Sequence, residues 1–237
     1  MQLSFFFKQK PVTKRILPAQ SKAVLKEILT PQLPSGATDQ ILALFEGKPV
    51  HLKTVRRRHS KSGDFRPAYN GNPARISVNG DLNPYAFLIT LVHELAHYLV
   101  WSDHASGKGQ KSPKEQRTYK PHGAVWKKTF RELMVPFMDP DIFPPDVLST
   151  LIVYLENPKA STSADHLLSR ALKNQDPCNG QIHLEDLPPE SVFRIHNGKL
   201  FRKKEKLRKR YHCVCLQTQR IYLISPLAQV VPINPEQ

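Results

Sequence analysis

A long apolar segment lies between Asn83 and Trp101. Asn83 is a good helix N-cap, and Pro84 suits the first helical position because its missing N–H needs no partner there. No further Gly or Pro occurs before Gly107, so the segment predicts one helix of about four or five turns. Apolar residues occupy nearly all sides of this helix, which is typical of a helix buried in a core.

The chain before this helix predicts two short helices and a small sheet. Apolar residues recur at helical spacing over residues 20–30 and 38–46, which indicates two amphipathic helices. The period then changes, because residues 50–57 alternate apolar and polar side chains as a strand does. Residues 65–69 and 74–78 predict two further short strands.

The chain after the buried helix predicts a second, β-rich part. We expect a core over 1–160, a linker with a short helix over 161–176, and a small all-β module over 177–237. The pair Asn197-Gly198 predicts a tight hairpin turn inside that module. A small barrel or curled sheet is the expected shape, with strands over 191–195, 199–202, 211–217, 220–225 and 228–233.

The buried helix carries the run His93-Glu94-Leu95-Ala96-His97. His93 and His97 are one turn apart, so both can direct a ring nitrogen to one Zn²⁺ at about 2.0–2.1 Å. Glu94 lies beside that face, where its carboxylate can reach a water on the metal without binding the ion. These polar residues are costly in an apolar helix unless they have a partner. The spacing is the H-E-x-x-H pattern of zinc metallopeptidases.

A catalytic zinc needs three protein ligands and one open position. His104, Glu115, Glu132 and His122 are the candidates for the third ligand. His104 does not have the spacing of the metzincin pattern, which requires a His six residues after the second ligand. His122 stands where a second amphipathic helix begins, which would bring it beside the first helix.

The helix motif, an insertion and then Pro121-His122-Gly123-x-x-Trp126 resemble the SprT-like zinc metallopeptidase family over about residues 20–140. The resemblance implies a zincin-like metalloprotease core in an α+β fold, with helices packed on a small sheet. It implies that His93, His97 and His122 bind one catalytic Zn²⁺ and that Glu94 is the catalytic base.

The resemblance also implies a substrate class, because animal members of that family cleave proteins crosslinked to DNA. Bacterial members often carry a zinc ribbon with two paired-cysteine knuckles after the core, and this chain departs from that pattern. We therefore expect an endopeptidase that acts on DNA-associated proteins. The alternative is a non-proteolytic nucleic-acid-binding protein with a structural zinc, in which His104 or Glu115 would fill the fourth position.

The charge of the chain favours an anionic partner. The 237 residues carry a formal net charge of +15 with a sequence pI near 9.8, which attracts nucleic acid or an anionic surface. Three cysteines are too few for a disulfide framework and indicate a reducing compartment. No signal peptide or membrane helix is predicted, so we expect a cytoplasmic protein without a membrane partner.

The β-rich part contains a dense run of cations against the single acid Glu205, flanked by Phe201 and Tyr211. Such a run neutralises phosphates and predicts sequence-independent, salt-sensitive binding to nucleic acid, most simply DNA. The flanking aromatics could stack on unpaired bases, and a solvated hairpin is the alternative. The cations are Lys199, Arg202, Lys203, Lys204, Lys206, Arg208, Lys209 and Arg210.

Three smaller features carry weaker predictions. Cys213 and Cys215 would point to one face of a strand, where two buried thiols are favoured over a second metal site that recruits Cys178. The run from Arg56 to His59 predicts a solvated strand end. Tyr119 is a candidate oxyanion donor because it is close to His122 in sequence.

Overall fold

A computed structural model describes residues 20–58, 60–106, 120–177 and 180–233. It divides into two compact units, residues 1–162 and 163–237. Both units combine helices with a sheet, so the predicted α+β class is confirmed. The helix over 166–173, which the sequence assigned to a linker, belongs to the second unit.

The first unit holds five α-helices and three strands within the described ranges. Its strands form one sheet in the order β1-β3-β2, in which β1 and β3 are parallel and β2 and β3 antiparallel. The elements are α1 (Lys22–Leu29), α2 (Thr38–Phe45), β1 (Val50–Val55), β2 (Gly63–Arg66), β3 (Ala74–Asn79), α3 (Pro84–Ala105), α4 (Ala124–Met134) and α5 (Pro145–Glu156).

Strand β2 is one edge of this sheet, and a tight turn joins it to β3. Asn70 and Gly71 have φ of 47° and 80°, as the favoured two-residue hairpin turns require. At the other edge, the side-chain amide of Gln20 donates to Leu52 O at 3.0 Å and accepts from Leu52 N at 2.6 Å. The main chain of β1 is therefore partly paired, whereas β2 is the edge strand beside α3.

Helix α3 is the centre of the first unit. Asn83 caps it as predicted, since its side-chain oxygen accepts from Ala86 N at 3.0 Å. Every residue from Phe87 to Tyr98 is buried, because α3 packs against β2 and β3 and also against α4. The predicted buried helix is thus confirmed, and its polar residues His93, Glu94 and His97 are buried as well.

The second unit packs one helix with an antiparallel six-stranded sheet in the order β4-β9-β5-β6-β7-β8. Strands β4 and β8 end the sheet, and no pairing joins them in the described part of the chain, so the sheet is open and not a closed barrel. The elements are α6 (His166–Lys173), β4 (Ile182–His183), β5 (Val192–Arg194), β6 (Leu200–Lys206), β7 (Tyr211–Cys215), β8 (Ile221–Ile224) and β9 (Gln229–Ile233).

The core of the second unit lies on one face of this sheet. Phe193 and Phe201 stack with ring centroids 5.8 Å apart, and the apolar cluster also contains Val230, Leu184 and both cysteines of β7.

None of the helices in the described ranges is long and apolar enough to span a membrane.

Candidate metal centre

Two histidines of α3 form the first half of the site. His93 and His97 are only 8% and 9% exposed, and their Nε2 atoms lie 3.3 Å apart. The separation of four residues places them one turn apart on the helix. The local helix alone is therefore sufficient to bring these two rings together.

A tight turn before α4 supplies the third histidine. Gly123 N donates to Lys120 O at 2.9 Å, with Pro121 second in the turn and His122 third at φ 61°. Proline second and a left-handed third residue are typical of a type II turn, and His is one of the non-glycine residues that tolerate this backbone. A Cβ on Gly123 would lie 2.9 Å from Lys120 O, so the turn needs glycine there.

The three imidazoles meet at their Nε2 atoms. His122 Nε2 lies 3.2 Å from that of His93 and 2.9 Å from that of His97. Ligand nitrogens around a tetrahedral Zn²⁺ with bonds of 2.0–2.1 Å are about 3.3 Å apart. Hydrogen bonds cannot join all three pairs of nitrogens. Each Nε2 of a neutral imidazole is either a donor or an acceptor, so at least one pair must join two donors or two acceptors. The cluster therefore fits a metal ion held by three protein ligands.

Burial prepares these histidines for metal binding. It lowers the pKa of His93 to about 3 and that of His97 to about 4, with the neighbouring histidines as the second cause. Burial, followed by Lys127, also lowers the pKa of His122. Because all three pKa values are lowered, the rings are neutral at neutral pH. Neutral imidazole is the form that binds metals.

The two other described candidates for the third ligand, His104 and Glu132, are not in the cluster. His104 is exposed near the carboxyl end of α3, and the cluster contains only His93, His97 and His122 among the described residues. Glu132 is exposed, with an oxygen 3.8 Å from Lys128 Nζ. Glu115 and Tyr119 lie outside the described residues.

Trp126 belongs to the site, although the sequence interpretation used it only as part of the family motif and of an apolar helix face. Its buried ring lies 4.5 Å from His93, 5.2 Å from His97 and 4.7 Å from His122 between centroids. Its indole N–H has no hydrogen-bond partner among the described residues. The four-residue spacing from His122 was a sequence signal for this contact.

Glu94 lies in a buried position beside the histidines. Its side chain shares a cavity with His93, and Phe65 N–H on β2 donates to its carboxylate. Burial, and next the charge of Asp64, raises the pKa of Glu94 to about 7. Asp64 itself pairs with Lys61 at 2.7 Å and with Arg66 at 2.9 Å. A carboxylate with a pKa near neutrality suits proton transfer.

The cavity at Glu94 has a volume of about 190 Å³. Three segments line it: residues 60–63 between β1 and β2, residues 160–162 after α5, and Thr90, His93 and Glu94 of α3. The cavity therefore has room for a small group in contact with both His93 of the cluster and the carboxylate.

The run from Arg56 to His59 is not a uniformly solvated strand end. Arg58 is half-buried and donates to Asn79 Oδ1 at 2.9 Å and to Ser77 Oγ at 3.1 Å. The exposed Arg57 lies 3.5 Å from Asp81. The prediction of a solvated run is therefore wrong for Arg58, because β3 supplies polar partners that the sequence pattern did not reveal. His59 lies outside the described residues.

The predicted cationic cluster divides into buried and exposed members. Lys203 is 3% exposed, and its ammonium donates to Glu185 O at 3.2 Å and to Leu187 O. It also lies 4.2 Å from the centre of the Tyr211 ring. Lys203 is thus excluded from the predicted nucleic-acid contacts, since its charge binds the protein's own main chain. Phe201 is 1% exposed and cannot stack on a base.

The remaining cations of the cluster are accessible. Lys204 is half-buried and pairs with Glu190 at 2.6 Å. The exposed members are Lys199, Arg202, Lys206, Arg208, Lys209 and Arg210.

The cysteines of β7 are buried thiols. Cys213 and Cys215 are both free and lie in the core of the second unit, and burial raises the pKa of Cys213 to about 11. Apart from the three histidines, the described ranges hold no cluster of metal-ligating groups. Cys178 lies outside those ranges.

Comparisons of the chain with models of known protein families, with curated proteins and with solved structures found no significant match. The arrangement of the side chains is therefore the main basis for a functional conclusion.

Proposed function

We propose that the protein is a zinc-dependent endopeptidase of the SprT-like type, built on a zincin-like core. The observation that carries this proposal is the convergence of three Nε2 atoms within 2.9–3.3 Å of one another, with the carboxylate of Glu94 in the adjoining cavity. Three protein ligands with a fourth position open are typical of catalytic zinc, whereas structural zinc has four. The motifs around His93 and His122 support the same family.

His93, His97 and His122 would hold the ion, which when bound lowers the pKa of a water and polarises a carbonyl. Glu94 takes a proton from the attacking water and passes it to the leaving amine. In the metal-free protein burial raises the pKa of this carboxylate to about 7, so its affinity for a proton is higher than that of a solvent-exposed glutamate. Phe65 N–H holds the carboxylate while it does so.

Strand β2 supplies a way to hold the peptide. It is an edge strand beside Glu94, and an extended peptide can pair with such an edge through main-chain hydrogen bonds. The side chains of the peptide would then alternate between the cavity and solvent. This mode of binding requires no particular sequence in the substrate.

The second unit would bring the protease to nucleic acid. Its accessible cations lie between Lys199 and Arg210, and Lys203 is not one of them. So many cations close together can neutralise phosphates without contacting the bases. Proteins bound to DNA are the substrate class that this arrangement favours. The non-enzymatic alternative needs a fourth ligand, and the described residues offer none in the cluster.

Glu94→Gln tests the enzymatic assignment. The variant should keep one metal per chain and lose cleavage of a DNA-bound protein substrate, because the amide cannot accept the proton. Glu132→Gln, a change of the same chemistry at an exposed helix position, is the matched control and should cleave normally. Cleavage by the Glu94 variant at the wild-type rate would refute the proposal.

A further inference from the structure

Gly63 is in direct contact with the side chain of Glu94. A Cβ on Gly63 would lie 2.5 Å from Glu94 Oε1, 2.7 Å from Glu94 Cγ and 2.7 Å from Thr90 Cγ2. These distances are far inside van der Waals contact. Gly63 is not one of the glycines with positive φ, so its backbone would accept other residues. Glycine is therefore needed here for space and not for conformation.

Strand β2 is held in place and cannot easily withdraw from Glu94. Asn79 on β3 is 3% exposed, and its N–H donates to Ser62 O at 2.8 Å. Its side-chain amide donates to Arg58 O and Lys61 O, each at 3.1 Å. The loop that leads into Gly63 is thus bound to β3 at three carbonyls.

The other end of β2 is anchored by aromatic packing. The ring of Phe65 lies 6.0 Å from that of Tyr98 and 5.8 Å from that of Trp101. Both rings belong to α3, the helix that carries Glu94. The distance between strand and helix is therefore determined on both sides of Gly63.

We propose that Gly63 is a positioning residue that sets the place of the Glu94 carboxylate. The bare Cα of Gly63 leaves room for Glu94 Oε1 and Cγ, and Phe65 N–H, two residues further along the strand, holds the carboxylate there. A side chain at position 63 would displace the Glu94 side chain from this place, because its Cβ would overlap Oε1 and Cγ. The catalytic consequence of this contact rests on the proposed function, but the contact itself does not.

A stability cycle tests the contact without any activity assay. All variants carry Thr90→Ser, which removes Thr90 Cγ2 from the comparison. In that background Gly63→Ala should lower Tm by at least about 2–4 °C. The same substitution should lower Tm by less than half of that amount when Glu94→Ala is also present. The coupling arises because Glu94→Ala removes both remaining atoms that the new methyl group meets. Equal losses of Tm in the two backgrounds would overturn the proposal.

Gly80→Ala is the matched control. A Cβ there would lie 3.7 Å from Thr54 Cβ and Val55 O, which is ordinary contact. It should change Tm little in either background. If Gly63→Ala alone fails to fold, folding of the double variant with Glu94→Ala supports the proposal, and failure of both counts against it.

Measurement of kcat and KM tests the catalytic consequence of the contact between Gly63 and Glu94. Gly63→Ala should bind one metal per chain and keep KM within a few-fold of wild type, while kcat falls by about 100-fold, as a misplaced catalytic group does. Wild-type kcat in this variant would overturn the positioning role. Absence of cleavage by the wild-type protein would instead refute the proposed function, and the Tm cycle would still decide the contact between Gly63 and Glu94.

Discussion

His97 Nε2 lies 2.9 Å from His122 Nε2, although 25 positions separate the two residues. The contact depends on a turn in which His122 adopts φ 61°, a conformation that most residues avoid. Strained backbone of this kind persists where the surrounding structure determines it, and it is concentrated at functional sites. The surrounding fold therefore holds the third histidine in the cluster, at the cost of a strained backbone conformation at His122.

His122→Ala and His122→Asn should both lose metal. Each removes one of three ligands, and Asn also tolerates the left-handed backbone, so the pair separates loss of the imidazole from strain in the turn. Metal per chain after gel filtration measures the result. His104→Ala is the control and should keep its metal, because His104 is not in the cluster. A full complement of metal in both His122 variants would contradict the ligand set.

The metal-free protein should become more stable as pH rises between about 4.5 and 6.5. The pKa of His93 is lowered from 6.5 to about 3 and that of His97 to about 4, so in this range the unfolded state binds more protons than the folded state. The pKa of Glu94 is raised from 4.5 to about 7, which acts in the opposite direction. Two histidines outweigh one carboxylate.

Glu94→Gln should therefore make this pH dependence steeper, because it removes the opposing contribution. Tm measured with a chelator present, at intervals from pH 4.5 to 6.5, compares the two proteins. Glu132→Gln is the control and should follow wild type. A shallower dependence in the Glu94 variant would show that this carboxylate is already ionised in the folded protein across that range.

Trp126 should report directly on the metal. The chain has two tryptophans, and Trp101→Phe leaves Trp126 as the single indole, within 5.2 Å of all three histidine rings. Co²⁺ should quench most of its emission, since a paramagnetic ion quenches at such short range, whereas Zn²⁺ should not. In Trp126→Phe, Co²⁺ should have a much smaller effect on Trp101. Equal quenching of the two variants would argue against binding at the cluster.

Asn79→Ala should destabilise the first unit by about 2–3 kcal/mol. Arg58 O and Lys61 O lose the amide that donates to them, and Arg58 Nε loses its acceptor. Urea unfolding measures the change. Asn72→Ala is the comparison, because Asn72 lies at an exposed turn position and pairs with Tyr69 through main-chain hydrogen bonds. A difference between the two variants of less than about 0.5 kcal/mol would contradict the role given to Asn79.

The exposed hairpin cations should control salt-dependent DNA binding. Replacing Arg208, Lys209 and Arg210 by Ala should weaken binding and reduce the slope of log affinity against log salt by up to about 3. Binding to a short duplex at several salt concentrations gives that slope. An unchanged slope would remove these residues from the interface.

Lys203→Met is the contrasting change at a buried cation. It should lower Tm, because two main-chain carbonyls lose their donor, and leave the salt slope as in wild type. A reduced slope in this variant would show that Lys203 reaches the phosphates after all.

Local periodicity was sufficient to predict most elements of the fold. The Asn83 cap, the buried helix and the alternating strands all depend on neighbouring residues, and their observed bounds differ from the predicted ones by a few residues. The sequence left open whether the second unit is a small barrel or a curled sheet, because closure depends on pairing between strands far apart in the chain, and the structure shows an open sheet. The burial of Lys203 and the bonds of Arg58 depend in the same way on distant main-chain carbonyls.

The sequence by itself determined that His93 and His97 face one side of a buried helix with Glu94 next to them, since 3.6 residues per turn is a local property. The resemblance pointed to His122 as the third histidine, but only the tertiary structure brought its ring to the other two, because that depends on how the chain returns after α3 to place His122 and Trp126 beside it. Only the tertiary structure, likewise, placed Gly63 against Glu94, since the order β1-β3-β2 brings that edge strand to the helix.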